Sequence, residues 1–351
     1  MAVTEKIRVL MLGADRTVHG GVSAVVNNYY RAGLDQQVQL HYIGTMVDGS
    51  KLRKLAQAAW AYVRFLLKLP RTQIVHVHMA ADASYYRKSL FIHAAVFFHK
   101  KLVIHEHGGD FQGFYYQKNK KQQEKIRKTL NKADCFIVLS KEWKEFFEPI
   151  VAPEKLQIVE NGIPVKERGE KDYTNQKAVF LGRLATTKGI RELLESIPQI
   201  KKEYPDFKLY LGGVWEEEEL RELVEKHSET VTFLGWIDET QREQILKECS
   251  IFVLPTYFEG QPISLLEAME SGCAVVVSEV GGIPQIVTNQ VNGVFIKPKD
   301  TESLVEGMKK VLADESFRKR LGENARETIL ERYDIRRGME QLMEIYETCI
   351  K

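Results

Sequence analysis

Two carboxylates eight residues apart bracket the segment Glu259-Gly-Gln-Pro-Ile-Ser-Leu-Leu-Glu267. The apolar run 251–255 before it reads as a buried strand, residues 257–260 as a turn, and Pro262 as the first residue of a helix reaching Glu270. That arrangement leaves the amides of Ile263 and Ser264 at the positive end of the helix, where a phosphate can sit. Carboxylates repel phosphate, so the natural partners of Glu259 and Glu267 are neutral hydroxyls on either side of it. A sugar joined through a diphosphate to a ribose has this layout. A glycoside-hydrolase pair of acid and nucleophile is the other chemistry two carboxylates invite, and the phosphate-ready amides between them oppose it.

A second anion-binding candidate is Gly182-Arg183-Leu-Ala-Thr-Thr-Lys188-Gly189, which follows the apolar run 178–181. The glycine permits a tight turn at a strand end, and Arg183 and Lys188 can then converge on one anion. Near the amino terminus Gly20-Gly21 precedes a helix at 24–32. Such a pair is either a simple turn or a place for close approach of a ligand. His105-Glu-His107-Gly-Gly-Asp110 follows another strand, and strand alternation aims His105 and His107 to one side. The pair is open to a metal reading or a buried, hydrogen-bonded one. His76 and His78 form a similar pair, with His78 a candidate to line the site.

The E-x7-E segment, Gly182-Arg183, Gly281-Gly282-Ile283-Pro284, Gly20-Gly21 and Asn292-Gly293 together resemble the family-4 retaining glycosyltransferases of the GT-B fold, across almost the whole chain. The resemblance implies two doubly wound, Rossmann-like α/β domains facing across a cleft. It implies that Glu267 accepts hydrogen bonds from the ribose and Glu259 from the donated sugar. Gly260, Gln261, Pro262, Ile263 and Ser264 then lie at the phosphate, and Gly20 and Gly21 face the donor. Arg183 and Lys188 take the diphosphate in place of a metal, which agrees with the lack of a D-x-D sequence. His107 contacts the transferred sugar, and Asp110 and His78 are acceptor-side candidates. Loops such as Gly235-Trp236 and Gly212-Gly213 are expected to read the base. No metal or other cofactor is implied beyond the nucleoside-diphosphate sugar itself, with uridine diphosphate favoured. A nucleotide-sugar epimerase and a non-catalytic sugar-nucleotide-binding module are the alternatives.

The elements that must position these residues follow from apolar periodicity. Strands are predicted at 7–12, 38–43, 74–78, 102–105, 135–139 and 156–159, then at 178–181, 208–211, 231–233, 251–254 and 274–277, with helices between. The 351-residue length suits two such domains. Asn161-Gly162-Ile163-Pro164 and the polar stretch after it predict a boundary between domains 1–164 and 165–334, with 335–351 crossing back to the first. Four scattered cysteines without C-x-x-C spacing, and no signal-peptide pattern, lead to the expectation of a cytoplasmic protein with reduced thiols.

The net charge of +2 hides an asymmetry, because residues 1–164 hold 24 Lys and Arg against 14 Asp and Glu. Between Gly49 and His105 ten basic residues face a single acid, Asp82. Leu52, Leu55, Ala56, Ala59, Val63, Leu66 and Leu67 recur there at helical spacing, which predicts an amphipathic helix with a basic opposite face. Trp60, Tyr62, Phe65, Tyr85 and Tyr86 lie among the charges. The expected partner is an anionic membrane surface, bound peripherally on the inner face and consistent with a lipid-linked glycan acceptor. No nucleic-acid motif accompanies the basic stretch.

Overall fold

Apolar β-branched runs separated by helices at crossover distance leave parallel sheets as the way to bury both faces of each strand. The computed structural model describes residues 5–108, 110–167 and 169–351, and the chain divides into two compact units, Met1–Pro164 with Ile335–Lys351, and Val165–Asp334. In the first unit the elements run β1 (Arg8–Gly13), α1 (Gly21–Arg31), α2 (Leu34–Gln37), β2 (Gln39–Gly44), α3 (Lys51–Lys68), β3 (Ile74–Met79), α4 (Ala83–Phe97) and β4 (Lys101–Glu106). They continue through α5 (Phe111–Tyr116), α6 (Lys120–Leu130), β5 (Cys135–Val138), α7 (Lys141–Phe147) and β6 (Leu156–Ile158). The six strands form one parallel sheet in the order β2-β1-β3-β4-β5-β6.

The second unit contains β7 (Lys177–Leu181), α8 (Ile190–Glu203), β8 (Lys208–Gly212), α9 (Glu219–Lys226), β9 (Val231–Gly235), α10 (Glu239–Glu248), β10 (Ile251–Leu254) and α11 (Ile263–Glu270). It ends with β11 (Ala274–Ser278), β12 (Val294–Ile296), α12 (Thr301–Ala313) and α13 (Glu315–Arg332). Its parallel sheet has the order β12-β11-β10-β7-β8-β9. The chain reverses direction across this sheet between β7 and β10, and ligands of doubly wound sheets bind where such a reversal separates adjacent strand ends. The predicted strands are all present, and β12 is one that periodicity did not flag, being three residues long.

The last helix, α14 (Ile335–Ile350), belongs to the first unit, where the Ile335 amide donates to the Ile163 carbonyl at 3.0 Å. Alternation along β3 and β4 sorts the core in two. Val75, Val77, Met79, Leu102 and Ile104 join the apolar cluster with Phe65 of α3 and Phe91 of α4. His76, His78 and His105 take the other side, where Tyr346 of α14 and Tyr29 of α1 meet them.

The orientation of α3 reverses the sequence expectation. Ala61 and Phe65 are its buried side chains, and the apolar stripe read from the sequence points to solvent. Helical periodicity reveals that a helix has an apolar face without saying whether the sheet or the solvent receives it. Among the interleaved aromatics, Phe65 and Tyr85 are buried, while Trp60 and Tyr86 are exposed. Lys88, counted with the basic surface, is instead buried, its ammonium donating to the Gly13 carbonyl at 3.0 Å and the Thr45 hydroxyl at 2.6 Å. No helix among the described residues is long and apolar enough to cross a membrane.

Candidate functional site

In the second unit the predicted residues gather on loops at the carboxyl ends of β7 and β10. After β7 the chain passes through Gly182-Arg183 and a short turn, Thr186–Lys188, into α8. Gly189 caps that helix with φ +70°, and a Cβ there would lie 2.0 Å from the Pro255 carbonyl oxygen. Glycine therefore lets the β7 loop lie directly on the end of β10, where the Tyr257 amide donates to the Thr187 carbonyl at 3.0 Å. This contact brings Lys188 to Glu259, whose side chains, 22% and 17% exposed, form an ion pair at 2.5 Å.

The segment after β10 is held from the other side as well. Gly281, at φ +53°, and Gly282 lie so close that Cβ atoms there would each fall 1.9 Å from the carbonyl oxygens of Glu259 and Gly260. Pro262 is the residue preceding the helix rather than its first member, with extended ψ of 120°, and α11 starts at Ile263. The amides of Ile263 and Ser264 thus open a helix that has no capping side chain. Gln261, Pro262 and Ile263 are buried, while Ser264 and Glu267, three residues apart, share a half-buried face.

Three partners had no distinguishing signal in the sequence. Arg242 of α10 pairs with Glu267 at 3.0 Å, with the two side chains 21% and 18% exposed. Arg183 pairs with Glu216, on the loop after β8. Glu217 accepts from the Thr186 amide at 2.9 Å and its hydroxyl at 2.6 Å, hydrogen bonds that hold its carboxyl below the usual range. Both glutamates sit in a run of four acids, which reads as solvated helix surface. Gly235 ends β9 at the sheet edge and Trp236, 46% exposed, follows it.

The first unit carries the remaining candidates. Gly20 precedes α1 in extended conformation, and a Cβ on Gly21 would meet nothing within 4 Å. The fold itself gives no reason for glycine at 21. Gly21→Ala is therefore expected to leave Tm unchanged or slightly raised, by up to about 1 kcal/mol in stability, while raising KM for a ligand that approaches this loop. Unchanged Tm together with unchanged kinetics would remove Gly21 from the site.

His78 and His105 are register partners on adjacent strands, and His76 and His107 extend the stack. His78 Nδ1 and His107 Nε2 share a hydrogen bond at 2.7 Å, and His76 Nδ1 and the Tyr346 hydroxyl share one at 2.6 Å. Burial pushes His76 and His107 down to about 3, and burial reinforced by the neighbouring histidines puts His78 and His105 well below the ordinary value. His107 is consequently a neutral imidazole at physiological pH, suited to hydrogen bonding and not to carrying charge. Glu106 is buried too, which raises its carboxyl well above the usual range despite a 2.8 Å hydrogen bond from the Gly108 amide. Gly109 lies outside the described residues, and Asp110, exposed, precedes α5.

Ligating nitrogens of His76, His78 and His105 lie within 4.8 Å of one another. Their rings stack at interplanar angles of 11–29°, so in-plane lone pairs run side by side instead of meeting at one point.

The family described as Glycosyltransferase Family 4 matches residues 19–167, and that described as Glycosyl transferases group 1 matches residues 164–328. An uncharacterized glycosyltransferase of Methanocaldococcus jannaschii is 31% identical over 178 residues, which are 49% of this chain and 45% of that protein, so the match spans about half of that relative. The N,N'-diacetylbacillosaminyl-diphospho-undecaprenol alpha-1,3-N-acetylgalactosaminyltransferase of Campylobacter jejuni is 26% identical over 329 residues, 93% of this chain and 81% of the relative. Among solved structures, HepE of Anabaena in complex with UDP and glucose superposes with a TM-score of 0.78 at 16% identity, over 97% of this chain and 100% of the other.

Proposed function

Because the chain belongs to the family-4 glycosyltransferases of the GT-B fold, we propose that it transfers a sugar, with retention and without a metal, from a nucleoside diphosphate to an acceptor hydroxyl. The observation that carries the reading is the meeting of Lys188 with Glu259 at the reversal between β7 and β10, beside the open amides of α11. A cation, a helix amino terminus and two half-buried carboxylates form a site for a diphosphate flanked by hydroxyl-bearing rings. Arg183 and Lys188 stabilise the charge that develops on the diphosphate as the glycosidic bond breaks. The acceptor oxygen bonds to the anomeric carbon on the same face, and its proton passes to the departing phosphate oxygen. Neutral His107 donates or accepts a hydrogen bond at the sugar without changing charge.

Uridine diphosphate is the proposed carrier, supported by the HepE complex, and a lipid-linked glycan at the inner face of a membrane is the proposed acceptor, supported by the Campylobacter relative's activity. The test is transfer of labelled sugar from UDP-sugars to polyprenyl-diphosphate glycans, with and without EDTA, followed by anomeric assignment of the product. Full activity in EDTA and a retained anomer are expected. Isomerised donor formed without acceptor would support an epimerase instead. Within the site, Glu267→Gln is expected to weaken free UDP, whereas Glu259→Gln spares UDP and weakens only the intact UDP-sugar. Equal losses of UDP affinity in both variants would overturn the division between ribose and sugar.

A further inference from the structure

The outer faces of α3 and α4 are apolar where a helix on a sheet ordinarily turns polar residues to water. At about 100° per residue, Leu52, Leu55, Trp60, Val63, Leu66 and Leu67 fall on the half of α3 opposite buried Ala61 and Phe65. They are 80%, 69%, 58%, 46%, 38% and 73% exposed. Neighbouring α4 adds a second stripe, Tyr86, Leu90 and Phe97, also exposed, with Phe98 just beyond it. A contiguous apolar surface of this kind marks an interaction site.

Charge identifies what covers it. Exposed Lys51, Arg53, Lys54, Arg64 and Lys68 lie at the helix ends and along the flanks of the α3 stripe, and neither helix contains an acid. A second copy docking symmetrically would bring one basic fringe against another. A bilayer presents hydrocarbon beneath a plane of anionic headgroups, complementary to an apolar stripe bordered by cations.

We propose that α3, with the outer stripe of α4, lies in the plane of an anionic bilayer with its leucines inserted below the headgroups and its lysines and arginines at headgroup level. This deepens, and rests on, the lipid-linked-acceptor reading. It also replaces the peripheral attachment to anionic headgroups expected from sequence with insertion, because buried apolar surface is insensitive to ionic screening.

The test is flotation of the full chain with phosphatidylcholine vesicles, with or without phosphatidylglycerol, at about 0.1 M and about 1 M salt. Retention on phosphatidylglycerol vesicles at the higher salt is expected. The variant Leu52→Ser/Leu55→Ser/Leu67→Ser, altered at exposed positions that the fold does not use, should lose binding by about tenfold or more at both salts. It should keep wild-type Tm and UDP affinity. A wild type that stays unbound, or that high salt strips completely, overturns insertion. So does a vesicle-free dimer in sedimentation equilibrium that the serine variant dissolves. Vesicle binding requires no turnover, so a chain that inserts but transfers no sugar defeats the proposed activity and leaves this inference standing.

Discussion

Lowering the pH from about 7 to about 5 is expected to destabilise the first unit by several kcal/mol, enough to unfold a marginally stable domain. His76, His78 and His105 are buried, His107 is half-buried, and all four are held neutral, with His76 and His107 pushed down to about 3. A depressed histidine contributes stability that is complete above the unfolded value, about 6.5, and is lost as pH falls towards the folded one. His76 and His107 then cost about 2 kcal/mol each at about pH 5, and His78 and His105 act in the same direction. Glu106 acts in the opposite sense, since its raised folded value makes it stabilising at low pH, and it offsets part of the loss. Lys88, lowered by burial, has the sign of the histidines. Urea titrations across this range, with hydrogen exchange to place the unfolding at residues 74–107, should give a slope of about three protons. His105→Leu should remove one of them. A stability flat between those pH values would mean that the rings are not held neutral in the native state.

Lys188→Ala is expected to reduce kcat by about a hundredfold to a thousandfold, about 2.7–4 kcal/mol in the transition state. The substitution removes one of the two cations proposed to take the diphosphate and also leaves the half-buried Glu259 carboxylate without its partner. The stranded carboxylate should repel the incoming diphosphate, so Lys188→Ala/Glu259→Gln should lose less than the two single losses added together. Arg183→Ala should have the smaller effect, because Arg183 is 43% exposed and paired with Glu216. Steady-state kinetics on the wild type and the four variants decide this. Simple additivity, or a larger loss at Arg183, would show that Lys188 and Glu259 do not work as a pair.

The sequence by itself determined the parts of this protein that local chemistry specifies. The alternation of apolar strands with helices predicted two parallel sheets, since each strand must be covered on both faces. The passage from strand through turn to helix between 251 and 270 was legible because strand, glycine, proline and helix signals follow one another within a few residues. The same alternation put His105 and His107 on one side, as the 4.1 Å ring separation confirms.

Only the tertiary structure decided what depends on neighbours distant in the chain. The pairing of Lys188 with Glu259, 71 residues apart, follows from the adjacency of β7 and β10, and that of Arg242 with Glu267 from the position of α10. Stacking of His78 on His105 needed the register of β3 on β4. Lys88 looked like surface charge until α4 placed it over Gly13 and Thr45. The apolar period of α3 was plain in the sequence, yet its outward direction was not, because a helix with an apolar face is equally consistent with a sheet beneath it or a membrane above it. Ala61 and Phe65, packed on the sheet, settle which of its faces the protein itself uses.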